Sequence, residues 1–114
     1  MQDCLFCKIV KREIPADIVY EDDQVLAFND INPQAPTHIL IIPKRHIATL
    51  NDLEEADQAL VGRLPVVAAR LARERGFADD GYRVVMNCND QGGQTVYHIH
   101  MHLMGGRRFT WPAG

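Results

Sequence analysis

At 114 residues, with 46% hydrophobic and 24% charged residues, the chain has the size and composition of one soluble domain with its own core. A net charge of −3 argues against a protein that grips a nucleic-acid polymer through its backbone. No run is long enough to span a membrane, and the start Met-Gln-Asp-Cys lacks a basic-then-apolar signal pattern. Three cysteines, an odd number, suit a reducing cytoplasm better than a disulfide framework.

Cys4 to Arg12 reads as a short helix, closed by Glu13-Ile-Pro15. Ile18–Tyr20 and Val25–Phe28 are β-prone runs joined across Glu21–Gln24, the pattern of a hairpin. Asp30 to Thr37 carries Pro33 and Pro36 and reads as a loop. His38–Ile42 is a further strand, stopped by Pro43. Asn51 or Asp52 can cap a long helix, with Glu54 or Glu55 reaching back. Leu53, Leu60, Leu64, Val67 and Leu71 then recur at helical spacing up to Gly76, and Pro65 should kink that helix. Tyr82–Asn87 and Val96–Met104 are the last two strands. Strands joined by short links around one long helix argue an α+β fold with an antiparallel sheet over residues 1–114.

The last strand holds three of the five histidines, His98, His100 and His102, at alternate positions. Period-two alternation sets them on one face and Tyr97, Ile99, Met101 and Leu103 on the other, so that an apolar face anchors a row of exposed imidazoles. At about 3.3 Å per residue, His98 and His102 stand roughly 13 Å apart, too far to share one metal ion. Side chains that titrate near neutral pH point instead to acid–base or nucleophilic chemistry. Asn89-Asp-Gln-Gly-Gly93 leads into this strand. Its glycines let backbone N–H groups approach an anionic oxygen, and Gln94 and Thr95 add side-chain donors. Together they read as a phosphate site in which neutral His100, at the centre, attacks phosphorus and forms a covalent nucleotidyl-histidine that water resolves.

His98-Ile-His100-Met-His102-Leu-Met104 resembles the His-φ-His-φ-His-φ-φ signature of the histidine triad (HIT) family. Cys4-Leu-Phe-Cys7-Lys-Ile, the run Phe28-Asn-Asp30 to His38, Ile42-Pro-Lys-Arg-His46, Gly92-Gly-Gln-Thr95 and the tail Gly105-Gly-Arg107 to Trp111-Pro-Ala-Gly114 resemble its Hint branch. The resemblance implies a five-stranded antiparallel sheet with one long and one short helix, joined to a second sheet across a homodimer. It also implies hydrolysis of purine nucleoside 5′-phosphoramidates to a nucleoside monophosphate and an amine.

Carried over by position, His100 is the nucleophile and His102 supports proton transfer. Gln94 and Thr95 contact the phosphate and leaving group, and Asn87 and His38 support the phosphate site and the triad. Asp30 meets the ribose hydroxyls, with Phe28 and Ile31 beside the base. Trp111, on a tail that crosses to the partner subunit, shapes leaving-group choice. Thr95 stands where serine is usual, and Ala113 replaces the second proline of the usual tail.

Cys4-x-x-Cys7 suits either a redox pair or two ligands of a zinc ion, and no βαβ unit precedes it to favour redox. The resemblance supplies His46 and His98 as the other two ligands of a structural zinc, with Cys88 left as a free thiol. No cofactor enters catalysis on this reading. Two readings compete: a dinucleoside polyphosphate hydrolase, and a nucleotide- or partner-binding module with incidental catalysis. A nucleotidyltransferase relative would carry glutamine where His102 stands.

Overall fold

The computed structural model describes residues 3–114. Met1 and Gln2, the start of the domain expected over 1–114, lie outside the described residues. Cys4 opens the first element, because its sulfur accepts the Cys7 N–H at 3.3 Å and caps helix α1 (Leu5–Val10). Strands β1 (Ile18–Glu21) and β2 (Val25–Asn29) then form a hairpin. Asp22 closes its turn by accepting the Gln24 and Val25 amides, both at 2.8 Å. β3 (Thr37–Pro43) follows the proline-bearing loop.

The long helix begins later than its apolar spacing suggests. Asp52 and Asp57 bond back to the Thr49 and Glu54 amides at 3.0 and 2.8 Å, which closes two 3-10 turns, Leu50–Asp52 and Glu55–Asp57. Leu53 therefore lies outside α2 (Gln58–Arg75), and Thr49 rather than Asn51 or Asp52 does the first capping. α2 runs through Pro65 without a break. The buried stripe Leu64, Val67, Ala68, Leu71 and Ala72 outweighs the loss of one backbone bond. Gly76 ends it at φ +86, a conformation that favours glycine.

β4 (Tyr82–Val85), a single helical turn α3 (Asn89–Gly92) and β5 (Met101–Gly105) complete the chain. All pairings are antiparallel, in the order β1-β2-β3-β5-β4, so the expected α+β five-stranded sheet with a long helix, α2, and a short one, α1, is observed, and the single turn α3 is added to it. α3 stands where a glycine loop was expected.

Alternation divides the sheet into two faces. Val25, Ala27, Ile39, Ile41, Met101 and Leu103 pack with α2 and Phe77 in one cluster. Leu26, Phe28, Leu40 and Ile42 pack with Phe6 and Ile9 of α1 in another. β2 and β3 are covered on both faces, which explains why they read as unbroken apolar runs rather than alternating ones.

The final strand is shorter than expected over Val96–Met104. β3 and β5 pair in a register that sets Ile41 opposite Met101, so its continuation would place Ile99 opposite Pro43. Proline has no N–H to donate, and the ladder ends there. Ile99 instead donates to the Ile47 carbonyl at 2.8 Å, and residues 96–100 leave the sheet.

Candidate active site

The break in the strand decides the environment of the histidines. They do not form an exposed row. His98 is fully buried, His100 retains 6% exposure, and His102, on β5 proper, is half-buried. They face the α1 side of the sheet, where the edge of Phe6 meets the His100 ring at 5.1 Å and the His98 ring at 5.9 Å. Burial holds all of them below the usual histidine range, His98 and His102 at about 4. His38 is likewise lowered by burial, against the pull of Asp30. Near neutral pH, all four rings are uncharged.

A neutral imidazole has one N–H and one lone pair, so its partners settle which nitrogen is which. A carbonyl can only accept. His98 therefore donates from Nε2 to the Pro43 carbonyl at 2.7 Å, leaving its Nδ1 as a lone pair. His100 donates from Nδ1 to the His98 carbonyl at 2.8 Å, which leaves the lone pair on Nε2. His38 accepts the Gln34 N–H at Nδ1, 3.0 Å away, so its hydrogen is on Nε2. That hydrogen points to His102 Nδ1 at 2.9 Å, with an Asp30 carboxylate oxygen 3.4 Å from His38 Nε2. His102 accepts at Nδ1 and must carry its hydrogen on Nε2. The result is a nucleophilic lone pair on His100 beside an N–H donor on His102, ring centres 5.1 Å apart.

Gln94 is held by three hydrogen bonds within the protein. Its amide donates to the Ala48 and Val96 carbonyls at 2.8 and 3.1 Å and accepts the Asn89 N–H at 2.8 Å. Both N–H groups are thus bound within the protein, and Gln94 pins α3 to the segment before α2 rather than offering donors outward. Thr95 is exposed and Asn87 half-buried, and neither side chain is hydrogen-bonded among the described residues. Asp30 accepts the Asn32 amide at 2.8 Å as a turn-former besides lying near His38. Phe28 is a core ring, edge-on to Phe6 at 5.5 Å, whereas Ile31 is fully exposed. Trp111 is 84% exposed. Phe6 and the Gln34 amide also meet the histidines, and neither was singled out in the sequence: Phe6 lies inside the Cys4–Cys7 motif, and Gln34 acts through its backbone.

Behind the triad, Cys4, Cys7, His46 and His98 bring one ligand atom each to within 4.8 Å of one another. Cys4 Sγ to His98 Nδ1 is 3.3 Å, Cys7 Sγ to His46 Nδ1 is 3.4 Å and Cys7 Sγ to His98 Nδ1 is 3.6 Å. The atoms of Asp30, His38 and His102 meet the same spacing, but there the His38–His102 hydrogen bond occupies the nitrogens. Cys88 is a free thiol. No helix among the described residues is long and apolar enough to cross a membrane.

The histidine shifts fix a pH dependence. Burial takes His102 from 6.5 in the unfolded chain to about 4 in the folded one. The unfolded chain then binds protons more readily between those values, so this stability is whole above about 6.5 and is lost as the pH falls toward 4. Urea midpoints from pH 8 to 4 should decline across that window, and His102→Gln should flatten part of the decline. A midpoint that stays level down to pH 4.5 in the parent protein would contradict the neutral, buried site.

The HIT domain family matches residues 11–109. The purine nucleoside phosphoramidase of Escherichia coli (strain K12) is 58% identical over 106 residues, 93% of this chain and 89% of that protein. A HIT family hydrolase from Legionella pneumophila superposes with a TM-score of 0.96 at 57% identity, covering 98% of this chain and all of that one. A histidine triad protein from Clostridium difficile gives 0.93 at 47% identity, with 96% of each chain covered. The chain belongs to the histidine triad (HIT) family.

Proposed function

We propose that the protein hydrolyses the P–N bond of purine nucleoside 5′-phosphoramidates through a nucleotidyl-histidine on His100. The observation that carries this reading is the His100–His98 hydrogen bond, which leaves the His100 Nε2 lone pair free. That nitrogen bonds to phosphorus as the P–N bond breaks, and the nitrogen of the substrate departs as an amine after gaining a proton. The His102 Nε2–H is the hydrogen placed to steer that transfer. Water then adds its oxygen to phosphorus, His100 leaves, and the nucleoside monophosphate is released. Thr95 and Asn87, with uncommitted polar groups, serve the phosphate. Asp30 serves the ribose, with Phe28 and Ile31 on the side of the base. The 58% identity to a purine nucleoside phosphoramidase supports this substrate class. His100→Ala should lower turnover of adenosine 5′-phosphoramidate by at least about three orders of magnitude while nucleoside monophosphate binding largely survives. Near-parental turnover in that variant would end the covalent reading, and diadenosine polyphosphate hydrolysed faster than phosphoramidate would end the substrate assignment.

The cysteine–histidine cluster is assigned to a structural zinc. A tetrahedron of sulfurs at about 2.3 Å and nitrogens at about 2.0 Å has sulfur–nitrogen edges of about 3.5 Å, close to the three separations given above. His98 Nδ1 presents a lone pair there because Nε2 is bound to Pro43. Cys4, Cys7, His46 and His98 would complete four-coordination, so the ion ties α1 to the histidine strand without entering the chemistry. Protein purified without chelator should contain about one zinc per chain. Cys4→Ser should lose it and unfold at least about 5 °C lower, more than about 1 kcal/mol. Metal-free protein of unchanged stability would refute the assignment.

The chain is also read as a cytoplasmic homodimer. β4 is an edge strand whose Tyr82 and Val84 are exposed, and Val66 of α2 is exposed as well. Such an edge invites pairing. The Arg83 guanidinium donates to the Thr110 carbonyl at 2.8 Å and lies over Phe109, so the tail is fastened up to Thr110 while Trp111 projects beyond it. Sedimentation at micromolar concentration should give a dimer, and removing residues 110–114 should alter preference among amines more than thermal stability. A monomer there would exclude the picture.

A further inference from the structure

We infer that Arg107 is a positioning residue, which sets the hydrogens on His38 and His102 by holding the backbone of Gln34. The inference deepens the phosphoramidase reading and rests on it for its rate measurement. The observations form one chain. The Arg107 Nε–H donates to the Gln34 carbonyl at 3.0 Å, and the Gln34 N–H donates to His38 Nδ1 at 3.0 Å. His38 in turn donates from Nε2 to His102 Nδ1 at 2.9 Å. Each link dictates the next. An amide hydrogen on His38 Nδ1 forbids the alternative tautomer, and the fixed Nε2–H requires His102 to present its own hydrogen on Nε2. Without the Gln34 amide, the pair His38–His102 could reverse its shared hydrogen bond, leaving His102 with a lone pair where the reaction needs a donor.

Gln34 itself sits in an exposed loop between Pro33 and Pro36, a segment with little burial to hold it. Among the described residues its side chain bonds only to the Asn32 carbonyl within the same loop, at 3.1 Å. The fastening comes from the turn after β5. Arg107 is itself held there: its guanidinium stacks over Phe109 at 4.1 Å, and its Nη1 donates to the Arg108 carbonyl at 3.1 Å. Next to it, Gly106 approaches Pro36 so closely that a Cβ at Gly106 would lie 2.9 Å from Pro36 Cβ. The loop is therefore clamped at two points by the residues that follow the histidine strand. A planar guanidinium suits this task because one face stacks while its edge donates. No hydrogen bond joins Arg107 to either imidazole among the described residues, so its effect reaches the reaction through hydrogen placement.

Arg107 is exposed, and its truncation leaves the core intact. Long-range proton–nitrogen NMR of the ligand-free protein reads the tautomers without any substrate. In the parent protein, His38 and His102 should each show a lone pair at Nδ1 and a hydrogen at Nε2. In Arg107→Ala, both should shift toward a mixture of tautomers, kcat for adenosine 5′-phosphoramidate should fall roughly tenfold, and KM should change by less than about twofold. Arg107→Lys, which keeps one donor for the Gln34 carbonyl, should recover part of both signals, and Arg108→Ala should leave both unchanged. An unaltered nitrogen pattern in Arg107→Ala overturns the proposal whatever the rate does. An altered pattern with a parental kcat overturns the positioning role. Because the nitrogen pattern needs no substrate, it stands apart from any failure of the phosphoramidate reading.

Discussion

The hydrogen bond from His98 Nε2 to the Pro43 carbonyl is the constraint on which the rest of the site depends. Pro43 ends the β3–β5 ladder because it has no N–H, and its carbonyl, left at the end of the strand, takes the His98 ring instead. Two consequences follow from the one contact. The His98 ring turns its other nitrogen to the cysteines, and its backbone carbonyl faces His100 Nδ1. A regular strand through residue 98 would have tied that carbonyl into the sheet ladder, and the His100 tautomer would have lost its anchor.

Burial gives these contacts their force. In the apolar layer between the sheet and α1, a charged imidazole is costly, so His98, His100, His102 and His38 are held neutral. Neutral rings are directional: each has one donor and one acceptor, and the backbone groups of Pro43, His98 and Gln34 choose between the two forms. No buried side-chain nitrogen or oxygen among the described residues lacks a partner, the state in which a polar network specifies one arrangement rather than several. Of these four rings, the two nitrogens without a hydrogen-bond partner among the described residues, Nε2 of His100 and of His102, are those that chemistry would use.

The opposite face of the sheet is plain core, and the contrast has a physical origin. β2, β3 and β5 present Val25, Ala27, Ile39, Ile41, Met101 and Leu103 to α2, a surface whose function is burial. A stiff strand with one face fully anchored is a precise mount for side chains on the other. The loops at the site borrow their order from this mount: Gln94 fastens α3 to the Ala48 carbonyl, and Arg107 fastens the Gln34 loop to the turn after β5.

The sequence by itself determined the element order, the antiparallel sheet, the helix end at Gly76 and the histidine triplet, because these follow from local periodicity and from residues with only one comfortable conformation. The resemblance of its motifs likewise identified the family, since each motif is a contiguous run. Tertiary structure alone decided three things. β5 begins only at Met101 because of where Pro43 falls on a neighbouring strand, a matter of register that no local window contains. Gln94 is an internal fastener because the Ala48 carbonyl, 46 positions away, lies within reach of its amide. His98 and His100 are buried and neutral where Phe6, nearly a hundred residues earlier, closes over them. Residue type and spacing supply the groups; their protonation and direction are set by partners distant in the chain, which only the folded packing brings together.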